Sequence, residues 1–177
     1  MDNEACIIRE AVETGFEELV TLYDAFNEET VPHVPDVVSN PDFDSRRVVR
    51  RYLDGPGRTI LVAASDGHVL GFACIDWRVG TEASLGFWGR VREFFTRRRR
   101  SLPMLFRAHG YLAYLYVAEE FRRRGIGGEL LLGAREWVKL RGGSSLDVNV
   151  LAKNEPARKL YEKVGMTDLL ITYRMEL

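Results

Sequence analysis

An α/β domain is what this sequence predicts, on three observations. Two apolar runs, Ile60 to Ala64 and Val69 to Trp77, flank Asp66-Gly67, a two-residue hairpin signal. A strand-like run from Tyr111 to Val117 enters a glycine-rich turn, after which Leu130, Leu131, Ala134, Trp137 and Val138 recur at helical spacing between Ile126 and Arg141. Asp147 to Val150 then alternates like a strand and leads into a short helix after Asn154.

From the N-terminus, Cys6 to Ala11 reads as the first strand. Thr14-Gly15-Phe16-Glu17 has the spacing of a capping box, with a helix running to about Phe26. Glu28 to Asn40 carries Pro32, His33 and Pro35 and reads as a loop, and Arg46 to Leu53 as a second helix. After the hairpin and the Tyr111 strand, Trp137 lies on the apolar stripe of the third helix. It is expected in the core, and Gly142-Gly143 closes that helix. In the last helix Asn154 is an N-cap, Glu155 complements the helix dipole, Pro156 is tolerated in the first turn and Gly165 is the stop. Ile171 to Leu177 can return as a final strand, and neither an internal repeat nor a linker divides the chain.

A chain of 177 residues with 46% apolar content can bury one core. Its formal net charge of −1 excludes a polycation whose overall charge seeks nucleic acid. Met1-Asp2-Asn3-Glu4 is acidic and lacks the apolar run of a signal peptide, and no stretch approaches the length of a membrane span. Cys6 and Cys74 lack metal or disulfide spacing and read as two buried free thiols, which points to a reducing cytoplasm. His33, His68 and His109 are scattered, so no metal is expected.

The most informative stretch runs from Leu115 to Gly128: an apolar strand, a polar turn, Arg122-Arg123-Arg124, then Gly125, Gly127 and Gly128 opening a helix. Free N–H groups of a helix start beside arginines suit closely spaced phosphates, and glycines let the main chain approach them. Two known phosphate loops fail on spacing. Leu130 stands where a dinucleotide fingerprint needs its third Gly or Ala, and no Gly-Lys-Ser/Thr follows Gly125. The pattern left is Arg-x-x-Gly-x-Gly, which resembles the acyl-CoA pyrophosphate loop of the GNAT superfamily of N-acetyltransferases. Downstream, Asn154, Ala157 and Tyr161 fall at i, i+3 and i+7 on one helix face. They resemble the Asn-x-x-Ala-x-x-x-Tyr signature of the same superfamily, and the likeness covers roughly Ile7 to Leu177.

That resemblance implies an α+β GNAT fold over residues 1–177: a mixed sheet of about six to seven strands with one splayed pair, flanked by about four helices. It implies acetyl-CoA as co-substrate and acetyl transfer to a small-molecule or peptide amine, with a homodimer left open. By resemblance, the backbone of Tyr116 and Val117 contacts pantetheine. Arg122, Arg123, Arg124, Gly125, Ile126, Gly127 and Gly128 hold the pyrophosphate. Asn154 and Ala157 line the pantetheine arm, and Tyr161 sits by the sulfur as general acid. The base departs from the family pattern, because Asn149 and Tyr114 stand where relatives carry acidic residues. Asp147, on the face of Asn149, is the best carboxylate available, ahead of Asp76, Glu82 and Glu119. Loss of the proton through ordered water, or capture of the neutral fraction of the amine, stays open.

Gly80 to His109 reads as a basic insertion. Arg90, Arg92 and Arg97 to Arg100 surround Trp88, Val91, Phe94 and Phe95 in an amphipathic pattern. It fits a wall over the acceptor site, a patch for an acidic partner or a solvated basic face. A silent acyl-CoA sensor is the rival function. An RNA-binding module is disfavoured, because the basic block is short and RNP and KH signatures are missing.

Overall fold

The computed structural model describes residues 6–34, 40–78 and 107–173. Pro35, the arginine-rich run Arg90 to Arg100 and the end of the expected last strand lie outside them. In chain order the elements are β1 (Ile7–Glu10), α1 (Phe16–Thr30), α2 (Ser45–Asp54), β2 (Arg58–Ser65), β3 (His68–Arg78), β4 (His109–Val117), α3 (Ile126–Leu140), β5 (Leu146–Val148) and α4 (Glu155–Lys163). The sheet order is β1-β2-β3-β4-β5, antiparallel throughout except for the parallel β4–β5 pair. Five strands and four α-helices are therefore seen among the described residues, an α+β arrangement.

Alternation along β2 and β3 sends side chains to two cores. Leu61, Ala63, Leu70, Ala73 and Ile75 pack with Leu130, Leu131, Ala134, Trp137 and Val138 of α3. Ile60, Val62, Phe72 and Cys74 pack with Phe16, Leu19 and Tyr23 of α1 and Val49 and Tyr52 of α2 on the other face. Asp66 and Gly67 both have positive φ, 51° and 82°, the conformation that a two-residue hairpin with the right twist requires. Trp137 is buried in the first core as expected, its indole N–H donating to Glu10 Oε1 at 3.0 Å.

Several expectations are corrected. The capping box does not form. Glu13–Gly15 is a 3-10 turn, Gly15 is the N-cap without a side-chain bond, and the acids are drawn elsewhere. Glu17 pairs with Arg46 and Glu13 with Arg50, both on α2. The helix runs on past Phe26 to Thr30, so Glu28 to Thr30 is helical and Val31–His33 is a 3-10 turn. The strand expected from Asp147 to Val150 is Leu146–Val148, leaving Asn149 exposed beyond it. Ile171 to Tyr173 forms no strand, and Cys6 is only half-buried while Cys74 is buried.

Candidate active site

The parallel ladder pairs Gly110 with Leu146, Tyr111 with Asp147 and Leu112 with Val148, and then stops. β4 continues to Val117, so from Ala113 onward its β5-facing edge has no strand partner among the described residues. Across β3, Cys74 pairs with Tyr114 and Ile75 with Leu112, which leaves Ala113 as an extra, bulged residue. The bulge re-aims the strand. Ala113 and Tyr114 both pack toward α1 and α2, and Leu115 and Val117 turn to the α3 side. Strand, bulge and early end of β5 together open a slot bordered by unpaired main chain.

Beyond β4 the chain makes a 3-10 turn, Glu119–Phe121, and a loop with two left-handed residues, Arg123 at φ 61° and Gly125 at φ 89°. For Arg123 this conformation costs about 1 kcal/mol or more, the kind of strain that collects at ligand sites. Gly125 is the N-cap of α3 and its carbonyl accepts from Gly128 and Glu129. The N–H groups of Gly125, Ile126 and Gly127 find no acceptor among the described residues, and together they make a concave, electropositive cradle. The Ile126 side chain is in the core, so only its main chain serves the loop.

The three arginines differ. Arg122 is half-buried; its Nε donates to the Val117 carbonyl at 2.8 Å and its two terminal nitrogens clamp Glu29 of α1 at 2.8 and 2.6 Å. This bidentate pair holds Glu29 below its usual carboxylate range and raises Arg122. Arg124 donates to the Glu120 carbonyl at 3.0 Å, and Arg123 is exposed. The Tyr116 side chain packs toward α1, where burial and then Glu29 push its phenol up.

α4 forms the other wall. Asn154 Oδ1 accepts from the Ala157 N–H at 3.2 Å, which caps the helix as expected and leaves the amide nitrogen of Asn154 as a donor. At the far end Met166 N donates to the Tyr161 carbonyl and Gly165 N to Glu162, with Gly165 at φ 89°, a Schellman stop that fixes Tyr161 in the last turn. Tyr161 is half-buried against the α3-side core. Burial pushes its phenol up, and Tyr111 across the splay adds to this. A Cβ on Gly127 would lie 3.1 Å from Leu160 and 3.9 Å from Val117, so glycine lets the start of α3 approach α4.

Of the carboxylates considered, Asp147 sits one rung before the ladder ends, opposite Tyr111. Its Oδ2 lies 3.7 Å from His109 Nε2. Asp76 is held by Arg58 at 3.0 Å, Glu119 is exposed in the 3-10 turn, and Glu82 lies outside the described residues. Tyr114 is edge-on to Tyr23 at 5.2 Å within an aromatic cluster. Two residues here were not singled out from sequence. Glu29 carries no local signal, since its partner is 93 residues away. His109 could have been found, because it shares a strand face with Tyr111.

Residues 16–166 match a family model described as Acetyltransferase (GNAT) family. The chain belongs to this family of acyltransferases. Mycothiol acetyltransferase of Corynebacterium aurimucosum is 35% identical over 60 residues, 34% of this chain and 20% of that protein. GCN5-related N-acetyltransferase 6, chloroplastic, of Arabidopsis thaliana is 40% identical over 57 residues, 32% of this chain and 20% of that protein. The matched stretch thus spans about a fifth of each of these relatives. Among solved structures, a mutant of the BH1408 protein of Bacillus halodurans superposes with a TM-score of 0.75 at 24% identity, covering 97% of this chain and 99% of that one. The aminoglycoside N-acetyltransferase AAC(6′)-Iy with a bisubstrate analog reaches 0.68 at 19% identity, over 98% and 99% of the two chains. These likenesses show the GNAT fold. Among the described residues, no cluster of three or more His, Cys, Asp or Glu could hold a metal, and no helix is long and apolar enough to cross a membrane.

Proposed function

We propose that this GNAT protein transfers the acetyl group of acetyl-CoA to a primary amine by direct attack on the thioester. The observation that carries the reading is the free edge of β4 beyond Leu112, which ends at a loop whose N–H groups converge beside α3. An amide-rich arm can pair with that edge as an added strand, and a pyrophosphate suits the cradle formed by Gly125, Ile126 and Gly127. In this reading the main chain of Tyr116 and Val117 and the free amide nitrogen of Asn154 address the arm. Ala157 leaves room for it, Gly128 keeps the first turn of α3 slim, and Arg123 and Arg124 add positive charge. Binding energy spent there positions the thioester carbon for attack. The amine nitrogen forms a bond to that carbon, the C–S bond breaks, and the departing sulfur takes a proton from the Tyr161 phenol. Asp147, one rung before the ladder ends, is the candidate carboxylate for the amine's own proton.

The test is a panel of small amines, aminoglycosides and peptides with acetyl-CoA, read by release of free thiol. Turnover with at least one amine, together with its acetylated product by mass, supports transfer. Tight acetyl-CoA binding without thiol release would make the chain a sensor.

Two smaller effects are expected. Glu29→Gln should lower the melting temperature by a few degrees, because it unpins Arg122 from α1. Since Glu29 titrates lower when folded, the clamp's stabilisation is complete above the ordinary carboxylate range, about 4.3, and fades as pH falls through the folded value. Melts of wild type and Glu29→Gln should therefore converge in acid. Replacing Arg97 to Arg100 with serine should change the KM of the acceptor while acetyl-CoA affinity holds, if this segment lines the acceptor site. Unchanged KM would make it a solvated face.

A further inference from the structure

We propose that His109 acts through Asp147 as the terminal acceptor of the amine's proton, so that the buried ring and the half-buried carboxylate together supply the base that neither residue supplies alone. The proposal rests on the acyl-transfer reading above and adds to it a residue no family motif marks.

His109 opens β4 and is only 7% exposed. Its Nδ1 lies 3.1 Å from the Arg107 carbonyl. A carbonyl only accepts, so Nδ1 carries the hydrogen and the neutral ring presents its lone pair from Nε2. That lone pair faces Asp147 Oδ2 at 3.7 Å, beyond hydrogen-bond length and within ion-pair range. A carboxylate and an unprotonated ring nitrogen repel each other in this arrangement, and a proton on Nε2 turns the repulsion into an ion pair. The geometry is therefore prepared for a proton that arrives.

Hydrogen bonds tie the two strand starts together around the pair. Gly110 N donates to the Ser145 carbonyl at 2.9 Å, and Ser144 donates to the Ala108 carbonyl through both its N–H and its hydroxyl, at 2.9 and 3.2 Å. Other charged or titratable groups near it among the described residues are Arg78, opposite His109 on β3 and 3.5 Å over the Tyr111 ring; Asp76, opposite Tyr111 and held by Arg58; and Tyr161 beyond Tyr111. Asp147 lies next to the splay and His109 lies behind it.

The step balances. An N–H bond of the substrate ammonium breaks, its proton passes to the Asp147 carboxylate and then to His109 Nε2, and the products are a neutral amine and an imidazolium–carboxylate pair. An ordinary imidazole holds a proton about two pH units more tightly than an ordinary carboxylate, which makes the ring the better resting place.

Two measurements test this. In imidazole nitrogen NMR spectra the neutral ring of His109 should be the Nδ1–H tautomer, with its Nε2 lone pair turned to Asp147. In thiol-release assays His109→Gln should slow turnover of propylamine, protonated at neutral pH, by about tenfold or more. Methoxyamine, already neutral there, should lose far less, and the KM for acetyl-CoA should hold. An Nε2–H tautomer or an equal loss with both amines would overturn the proposal. Should His109→Gln perturb folding, the nearly isosteric Asp147→Asn is expected to give the same split between the amines. Absence of wild-type turnover with either amine would count against acyl transfer, and the spectra would still decide the pair.

Discussion

Gly127→Val is expected to abolish acetyl-CoA binding. The position stands in the first turn of α3, where its N–H belongs to the cradle and an added Cβ would crowd Leu160 of α4 at 3.1 Å, with Val117 of β4 in ordinary contact at 3.9 Å. A branched side chain must move one of those walls or the loop itself, and the proposed slot runs between them. The expected calorimetric result is loss of at least about 100-fold in affinity, roughly 2.7 kcal/mol. Because Leu160 is a flexible neighbour, Gly127→Val combined with Leu160→Ala relieves the packing and leaves the loop altered. Recovery of binding in the double variant would assign the defect to α4, and equal binding by wild type and Gly127→Val would remove the loop from the site.

Tyr161→Phe is expected to lower kcat by about 100-fold or more while acetyl-CoA still binds. The ring keeps its place against the α3-side core, so the substitution removes the hydroxyl and little else. A thiol leaving group of pKa about 8.5 is well served by a phenol that is still protonated at neutral pH. Burial pushes the Tyr161 phenol further up, so the loss of activity from its ionisation belongs above about pH 10. Wild-type turnover by Tyr161→Phe would exclude it as the acid. A large drop in melting temperature would point to packing as its main role, so both are measured on the same preparation.

What was legible in the sequence was local. Asp66-Gly67, the Gly142-Gly143 stop, Asn154 as a cap and Gly165 as a terminator each act within a few residues, and all are found as read. The capping box at Thr14 was also a local signal, and there a longer-range one won: Glu13 and Glu17 bond arginines 37 and 29 residues away. The length of β5 depends on where it diverges from β4, a tertiary matter that alternation in Asp147 to Val150 does not encode. The same holds for Arg122, whose charge is matched by Glu29 across the fold, and for the Asp147 carboxylate, whose histidine neighbour is 38 positions earlier in the chain.

Amide hydrogen exchange with and without acetyl-CoA reads the free β4 edge and the loop directly. New protection is expected at the N–H groups of the β4 edge between Ala113 and Val117 and at Gly125, Ile126 and Gly127, with little change at the β2–β3 hairpin around Asp66. Protection centred elsewhere, or none at a saturating concentration, would contradict binding there.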